Sequence, residues 1–195
     1  MTQATYDPIA EFQVWFKEAK ETSLKDPTAM AVATSSPEGI PAVRMVLMKQ
    51  FDQQGLVFYT NFTSAKARDL QQNSWASACF FWETTRKQVR VTGRVQVVSR
   101  EEADAYFASR PRDSQLGAWA SLQSQPMAAR TDFEERFKQL QSLYEGQVVP
   151  RPEHWSGFRI VPEKIEFWIE LPYRLHERWI YHRDGQGWTK TLLYP

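Results

Sequence analysis

The sequence predicts a β-rich α+β fold, an antiparallel β-barrel flanked by helices. Three observations carry that expectation. Short apolar runs bounded by turn residues follow one another between 28 and 98 and again after 157, at the spacing of antiparallel strands. Residues 88–98 alternate Val89, Val91, Gly93, Val95 and Val97 with Arg90, Thr92, Arg94 and Gln96, the period of a strand with one polar face. The helical segments past 99 come as a group instead of one after each strand, which disfavours a parallel doubly wound sheet.

The elements follow in order. Asp7 and Pro8 open a first helix as N-cap and first-turn residue. Ile9, Phe12, Trp15, Phe16 and Ala19 recur at helical spacing, and the helix is expected to stop near 25–27. Strands are read at 28–35, 42–49 and 56–60, separated by Pro37-Glu38-Gly39 and by Asp52-Gln53-Gln54-Gly55. A short helix starts at Ser64 and runs to about 72, and strands at 75–83 and 88–98 form the next pair. Ser99 caps another helix, and helical stretches at 115–121 and 129–144 follow. Residues 146–155, with two prolines, are a loop; strands at 157–161, 164–171, 175–182 and 188–193 close the chain, the last two joined by the turn 184–187.

Composition narrows the function. The 195 residues suit one domain, 1–195. Twenty-four basic residues nearly cancel twenty-three acidic ones, for a net charge of +1. A nucleic-acid partner normally demands a basic excess, so none is expected. Cys79, the single cysteine, builds neither a disulfide within the chain nor a thiolate metal site, and its run Ala78-Cys79-Phe80-Phe81 reads as a buried structural thiol. The start, Met1 to Asp7, has no cationic segment leading into an apolar one, and no run reaches the roughly 18 apolar residues of a spanning helix. A cytoplasmic protein without membrane contact is expected. The three histidines lack a metal-ligand spacing, so no metal is expected, and glycine-rich phosphate loops and the GxSxG elbow are missing.

Bound phosphate must then be held by side chains and scattered amides. Arg174, His176 and Arg178 are spaced by two, which on a strand places them on one face. Three such groups repel unless an anion sits among them; taken alone, the pattern more often marks a solvated face. Tyr106 and Arg110, spaced by four, share a helix face, with Ser114 just beyond. Together they suit a phosphorylated aromatic ring, though a plain surface helix end reads the same way. Arg44 and Lys49 have an odd separation, which sends them to opposite strand faces unless the strand bends or ends. Tyr59 and Thr60 end a strand just before Ser64 and Lys66, so a helix N-terminus, a hydroxyl and an ammonium make a phosphate seat, or Ser64 is simply an N-cap. Gln88, Gln123 and Ser124 offer amide and hydroxyl groups that can read the polar edge of a flavin, though ordinary surface groups look the same. Trp168 faces away from Ile165, Phe167 and Ile169 and marks a ligand or subunit contact.

These segments together resemble the pyridoxine (pyridoxamine) 5'-phosphate oxidase family, from about Asp7 to Pro195. The carriers include Arg44-Met45-Val46-Leu47-Met48-Lys49, Phe58-Tyr59-Thr60-Asn61, Ser109-Arg110-Pro111-Arg112-Asp113-Ser114-Gln115, Ile165-Glu166-Phe167-Trp168 and Arg174-Leu175-His176-Glu177-Arg178. The resemblance implies a split-barrel FMN-binding fold and a homodimer with FMN at the subunit interface. It implies that FMN is contacted by Arg44, Met45, Val46, Leu47, Lys49, Tyr59, Thr60, Lys66, Gln88, Gln123, Ser124, Trp168 and Arg178. It places Lys49, Tyr106, Arg110, Ser114, Arg174 and His176 around the substrate, the last two over the reacting carbon. The implied activity is oxidation of pyridoxamine or pyridoxine 5'-phosphate to pyridoxal 5'-phosphate by O2. Two alternatives stand: a flavin oxidase of the same fold acting on another ring, and a flavin- or pyridoxal-phosphate-binding protein without turnover.

Three departures from the family's pattern carry expectations of their own. Ala65 stands where the family usually has a phosphate-binding Arg; its absence weakens FMN binding unless Arg68 or another base compensates. Many members carry an N-terminal arm with an Arg and a Tyr over the substrate, and this chain begins too late for one, so a site that is more open, or closed by other residues, is expected. The stretch Ile169-Glu170-Leu171-Pro172-Tyr173 replaces a Gln-Gly-rich connection and changes the approach to Arg174.

Overall fold

The computed structural model describes residues 6–195; the part of the leader reading that rests on residues 1–5 lies outside them. Asp7 caps α1 (Pro8–Lys20) through its carboxylate, which accepts from the amides of Ile9 and Ala10. The helix ends at Lys20, earlier than the expected stop near 25. Thr22 accounts for the early end, because its hydroxyl donates to the Ala19 carbonyl at 2.7 Å and so satisfies one of the helix's last acceptors.

The strands are β1 (Ala29–Ser35), β2 (Pro41–Leu47), β3 (Gln50–Asp52), β4 (Gly55–Asn61), β5 (Trp75–Trp82), β6 (Lys87–Val97), β7 (Trp155–Ile169), β8 (Glu177–Asp184) and β9 (Gly187–Leu193). They form one antiparallel sheet ordered β2-β1-β5-β6-β7-β4-β3, with β8 and β9 branching from β7. The expectation of a helix-flanked antiparallel barrel is borne out.

The two strands expected at 157–161 and 164–171 are one strand, β7. Pro162 lacks an amide hydrogen but does not break it, because it sits where one edge of β7 changes partner. Residues 155–160 pair with β4, and residues 164–169 pair with β8. Along the other edge β6 pairs with residues 158–169, across the change of partner, with a register shift between Thr92 and Gly93. A Cβ on Gly93 would lie 1.9 Å from the Val161 carbonyl oxygen, so glycine alone fits this bulge. The sheet therefore divides at β7, with β4 and β3 on one branch and β8 and β9 on the other.

The inward face carries Met30, Val32, Ala78, Phe80, Trp82, Val89, Val91, Phe58, Ile165 and Phe167, all buried, and α1 plugs it with Ile9, Phe12, Trp15 and Ala19. Phe12 meets Phe51, Phe80 and Trp82 at 4.4–5.7 Å between ring centroids. The outward face is covered far less: Val43, Met45 and Phe81 are 70, 65 and 53% exposed. Cys79, expected in the core, belongs to this outward face and is half-buried. Strand alternation decides this, since Ala78 and Phe80 already occupy the inward positions.

Helices α2 (Ala65–Gln72), α3 (Arg100–Ser109), α4 (Arg112–Ala120) and α5 (Arg130–Leu143) lie outside the barrel. Helix α4 begins at Arg112 instead of 115, since Pro111 suits the position before a first turn. Phe107, Leu116, Ala118, Val149 and Trp155 form a second, smaller core beneath them. No helix among the described residues is long and apolar enough to cross a membrane.

Candidate active site

One cavity of about 930 Å³ opens between β2, the end of β4, and helices α2 to α4. Its lining includes Arg44, Met45, Val46, Leu47, Lys49, Tyr59, Thr60, Lys66, Tyr106, Arg110, Ser114, Gln123 and Ser124. The odd separation of Arg44 and Lys49 is resolved by the end of β2 at Leu47. Met48 is buried and Lys49 follows in the break before β3, its amide bonded to the Val57 carbonyl at 2.8 Å.

Lys66, in the first turn of α2, is 9% exposed. Its ammonium donates to Thr60 Oγ1 at 3.1 Å, Ser64 Oγ at 3.3 Å and Gln123 Oε1 at 2.9 Å. All three acceptors are neutral. Burial, and next the charge of Arg44, pull the Lys66 pKa down to about 8. A buried cation without a counter-charge beside a helix N-terminus is a seat for an anion. Ser64 lies behind this seat. Its side chain makes no cap bond to α2, is fully buried, and does not line the cavity. Arg44 is anchored by the Val32 carbonyl, Thr34 Oγ1 and the Ala42 carbonyl at 2.8–3.2 Å, with Asp69 3.9 Å away.

A second cationic seat lies on the α3–α4 side. Arg110 stands just past α3 in extended backbone, so it does not share a helix face with Tyr106 as the spacing of four suggested. Pro111 accounts for this, since the residue before proline is pushed out of helical conformation. Arg110 Nη1 is buried with no hydrogen-bond partner in the protein. Its guanidinium packs 4.7 Å from the centroid of the Trp155 ring. Trp155, Tyr59 and Tyr106 stack nearly parallel, with Tyr59 and Tyr106 4.0 Å apart and Tyr59 and Trp155 5.2 Å apart. Burial first, then the charge of Glu102, push the Tyr59 hydroxyl up to about 12, so it stays protonated and can donate. Ser114, in the first turn of α4, completes this side of the cavity.

The remaining site residues do not line the cavity. Gln88, Trp168 and Arg178 stand directly opposite one another across β6, β7 and β8, in one row on the outward face. Arg174 and His176 are not on a strand, which corrects the same-face reading of 174, 176 and 178. Residues Pro172–Arg174 form a single tight turn, with Tyr173 and Arg174 at φ of 60° and 61°, and β8 begins only at Glu177. Pro172 cannot extend the strand pairing, and the turn redirects the chain. His176 is brought to the row differently: its ring packs 4.7 Å from Trp168, and Nδ1 accepts from the Leu171 amide at 3.2 Å.

Family models match both parts of this arrangement. One described as pyridoxamine 5'-phosphate oxidase covers residues 16–144, and one described as pyridoxine 5'-phosphate oxidase C-terminal dimerisation region covers 155–195. The chain belongs to the pyridoxine/pyridoxamine 5'-phosphate oxidase family. A family member from Myxococcus xanthus strain DK1622, named pyridoxine/pyridoxamine 5'-phosphate oxidase, is 52% identical over 97% of this chain and 92% of its own length. The Rhodospirillum rubrum protein of the same name is 53% identical, covering 97% and 96%. Among solved structures, PhzG of Burkholderia lata 383 in complex with tetrahydrophenazine-1-carboxylic acid superposes with a TM-score of 0.92 at 31% identity, covering 97% of this chain and 93% of that one. A pyridoxamine 5'-phosphate oxidase-related, FMN-binding protein of Nostoc punctiforme superposes at 0.80 with 21% identity, covering 98% and 100%, which shows the shared split-barrel fold.

Two residues beside these groups, Trp155 and Glu166, have no role assigned from the sequence alone. Trp155 was placed in a loop, and only its position at the start of β7 reveals the stack beneath Arg110. Glu166 shares the face of Trp168 and is 3% exposed, with both Arg90 and Arg178 on its carboxylate. A carboxylate alternating with apolar residues in a strand was the available signal for it. Arg68, considered as a substitute for the family Arg missing at Ala65, is turned to the Thr63 carbonyl at 2.6 Å and does not line the cavity.

Proposed function

We propose that the chain is a single-domain FMN-dependent oxidase spanning 1–195, converting pyridoxamine and pyridoxine 5'-phosphate to pyridoxal 5'-phosphate with O2 and releasing hydrogen peroxide. The observation that carries this reading is the pair of cationic seats in one cavity. Lys66 has only neutral oxygens around it, and Arg110 Nη1 has no partner. Two phosphorylated molecules, FMN and the substrate, supply one anion to each. The cofactor's own chemistry is acceptance of a hydride from the substrate's 4' carbon and delivery of the electrons to O2.

The residues divide the remaining work. Arg44, Lys66, Thr60, Gln123 and Ser124 hold FMN from the α2 side, and Met45, Val46, Leu47, Lys49 and Tyr59 border it. Lys49, Tyr106, Arg110 and Ser114 hold the substrate phosphate, with the Arg110 fork pre-oriented by Trp155. Gln88, Trp168 and Arg178 lie away from that cavity, on the outward face, so a second copy of the chain is needed to bring them to FMN. A homodimer with the flavin between subunits follows. Arg174 and His176 travel with that row and approach the reacting carbon. With Nδ1 accepting from the Leu171 amide, the neutral His176 ring carries its proton on Nε2. It therefore offers a donor at Nε2, which suits orientation of the substrate rather than general-base catalysis.

A second reading, oxidation of a different ring, draws on the phenazine compound bound by the Burkholderia structure. The unpartnered Arg110 favours a phosphorylated substrate. One assay separates the readings: the purified protein is examined for bound FMN, then peroxide and pyridoxal phosphate are measured on adding pyridoxamine phosphate or unphosphorylated pyridoxamine. Yellow protein producing both products from the phosphorylated amine alone is expected. A yellow protein giving no product with it sinks the proposed activity.

A further inference from the structure

Glu166 is the most buried carboxylate on the outward face, and none of the steps above uses it. Its side chain is 4% exposed, against 46% for Arg90 and 27% for Arg178. It sits two residues from Trp168, one row below Gln88, Trp168 and Arg178, and directly opposite Arg90 on β6. Arg90 binds Oε2. Arg178 places two donors on Oε1, Nε at 3.1 Å and Nη2 at 3.0 Å, and its Nη1 donates to the Tyr194 carbonyl at 3.1 Å.

The guanidinium of Arg178 is thus held along one edge by the acid and at a second point by the C-terminal backbone. One hydrogen on Nη1 and one on Nη2 remain for a ligand. A long side chain at a partly open position otherwise spreads over several rotamers, and ordering it at the moment of binding weakens the complex. A buried acid between two arginines contributes little net stability compared with an apolar residue, so a positional role accounts for it better than a stabilising one.

The geometry points to Glu166 as the positioning residue for Arg178: it pre-orients the guanidinium for FMN and moderates the charge presented there. The inference rests on the reading of Arg178 as a flavin contact. Arg90 is the outer member of the triad and balances the second carboxylate oxygen. It is predicted to matter less, since it points its charge at Glu166 and is the most exposed of the three.

The test is a double-mutant cycle on FMN affinity, read by quenching of flavin fluorescence as the flavin-stripped dimer is titrated, with the visible spectrum of the bound flavin recorded alongside. R178Q is expected to raise Kd about tenfold, and E166Q to do nearly the same, since charge-assisted hydrogen bonds are lost in each case. The E166Q/R178Q double variant is expected to bind no more weakly than R178Q, because the acid has nothing left to position. Losses that multiply would assign Glu166 a structural role and overturn the inference, as would E166Q binding like wild type while R178Q binds weakly. R178Q binding like wild type would overturn the flavin reading of Arg178 itself. Melting of each stripped variant is measured first. Should E166Q not fold, E166D replaces it: withdrawing the carboxylate by one carbon is expected to raise Kd about threefold, an effect cancelled in the R178Q background.

Discussion

At the residue scale the cavity is controlled by cations that lack a counter-charge, Lys66 among neutral oxygens and Arg110 with an unpartnered Nη1. Lys66 titrates near pH 8 in the free protein because it is buried and faces Arg44. An anion must restore its charge, so FMN affinity is expected to fall as pH rises from 7 to 9, and K66M is expected to flatten that dependence. Stability moves the other way. The folded pKa lies below the unfolded value near 10.4, so between about pH 8 and 10.4 the unfolded chain binds more protons. The flavin-free protein should therefore become more stable across that window, relative to K66M, as the strain of a buried ammonium is relieved. A flat difference between the two melting curves would remove the assigned titration. Ala65, the next residue, lines the same cavity. A65R is expected to tighten FMN binding about tenfold at low salt, with the gain shrinking as salt rises. Unaltered affinity would mean that the phosphate lies elsewhere.

At the scale of elements, strand period and turn residues were legible where side chains alternate cleanly, as in β6, and misleading where backbone conformation departs from the period. The row Gln88, Trp168 and Arg178 depends on register between three strands, which no local pattern encodes. The spacing of Arg174 and His176 suggested a strand face, yet a tight turn intervenes, and His176 reaches the row by packing on Trp168. Arg110 lines the cavity from outside its helix: Pro111 marks the helix end in the sequence, but the spacing of four from Tyr106 does not show that Arg110 itself is already extended. Lys66 and the family motifs, by contrast, were recognisable in the sequence itself. Strain in the turn is testable. Tyr173 holds φ 60°, ψ 20°, a conformation that disfavours a bulky side chain by about 1–2 kcal/mol. Its ring is 93% exposed, so little packing is at stake. Y173N, with a residue tolerant of that conformation, is expected to raise Tm by about 2 °C with FMN affinity unchanged; a lower Tm would contradict the strain argument. At Gly93 the expectation is opposite. G93A forces a methyl group into the Val161 carbonyl, and a loss of at least about 2 kcal/mol in denaturant unfolding is expected.

At the scale of the whole molecule, the sheet has two faces with different fates. The inward one is filled by α1 and the barrel core. The outward one presents alanines on β1, flanked by Val43, Met45 and Leu47 on β2 and by Cys79 and Phe81 on β5. Small residues flanked by exposed apolar ones suit close approach of another flat surface, and a patch of this kind left in water is a liability. The same face bears the row that the cavity lacks. On the proposed two-copy arrangement, dimer formation and completion of the flavin site are one event, and breaking the first should abolish the second without unfolding the chain. Ala31 lies opposite Met45 on one side and Cys79 on the other, and it contributes nothing to the cavity. A31R places a charge at the centre of that face, where an unpaired charge buried against a partner costs several kcal/mol. The expected product sediments as a monomer, retains its β-rich circular dichroism, and carries no bound FMN even at flavin concentrations that saturate the wild type. A monomeric A31R that still binds FMN tightly would show that one chain holds the whole flavin site, and would refute the two-copy arrangement drawn from the row on β6, β7 and β8.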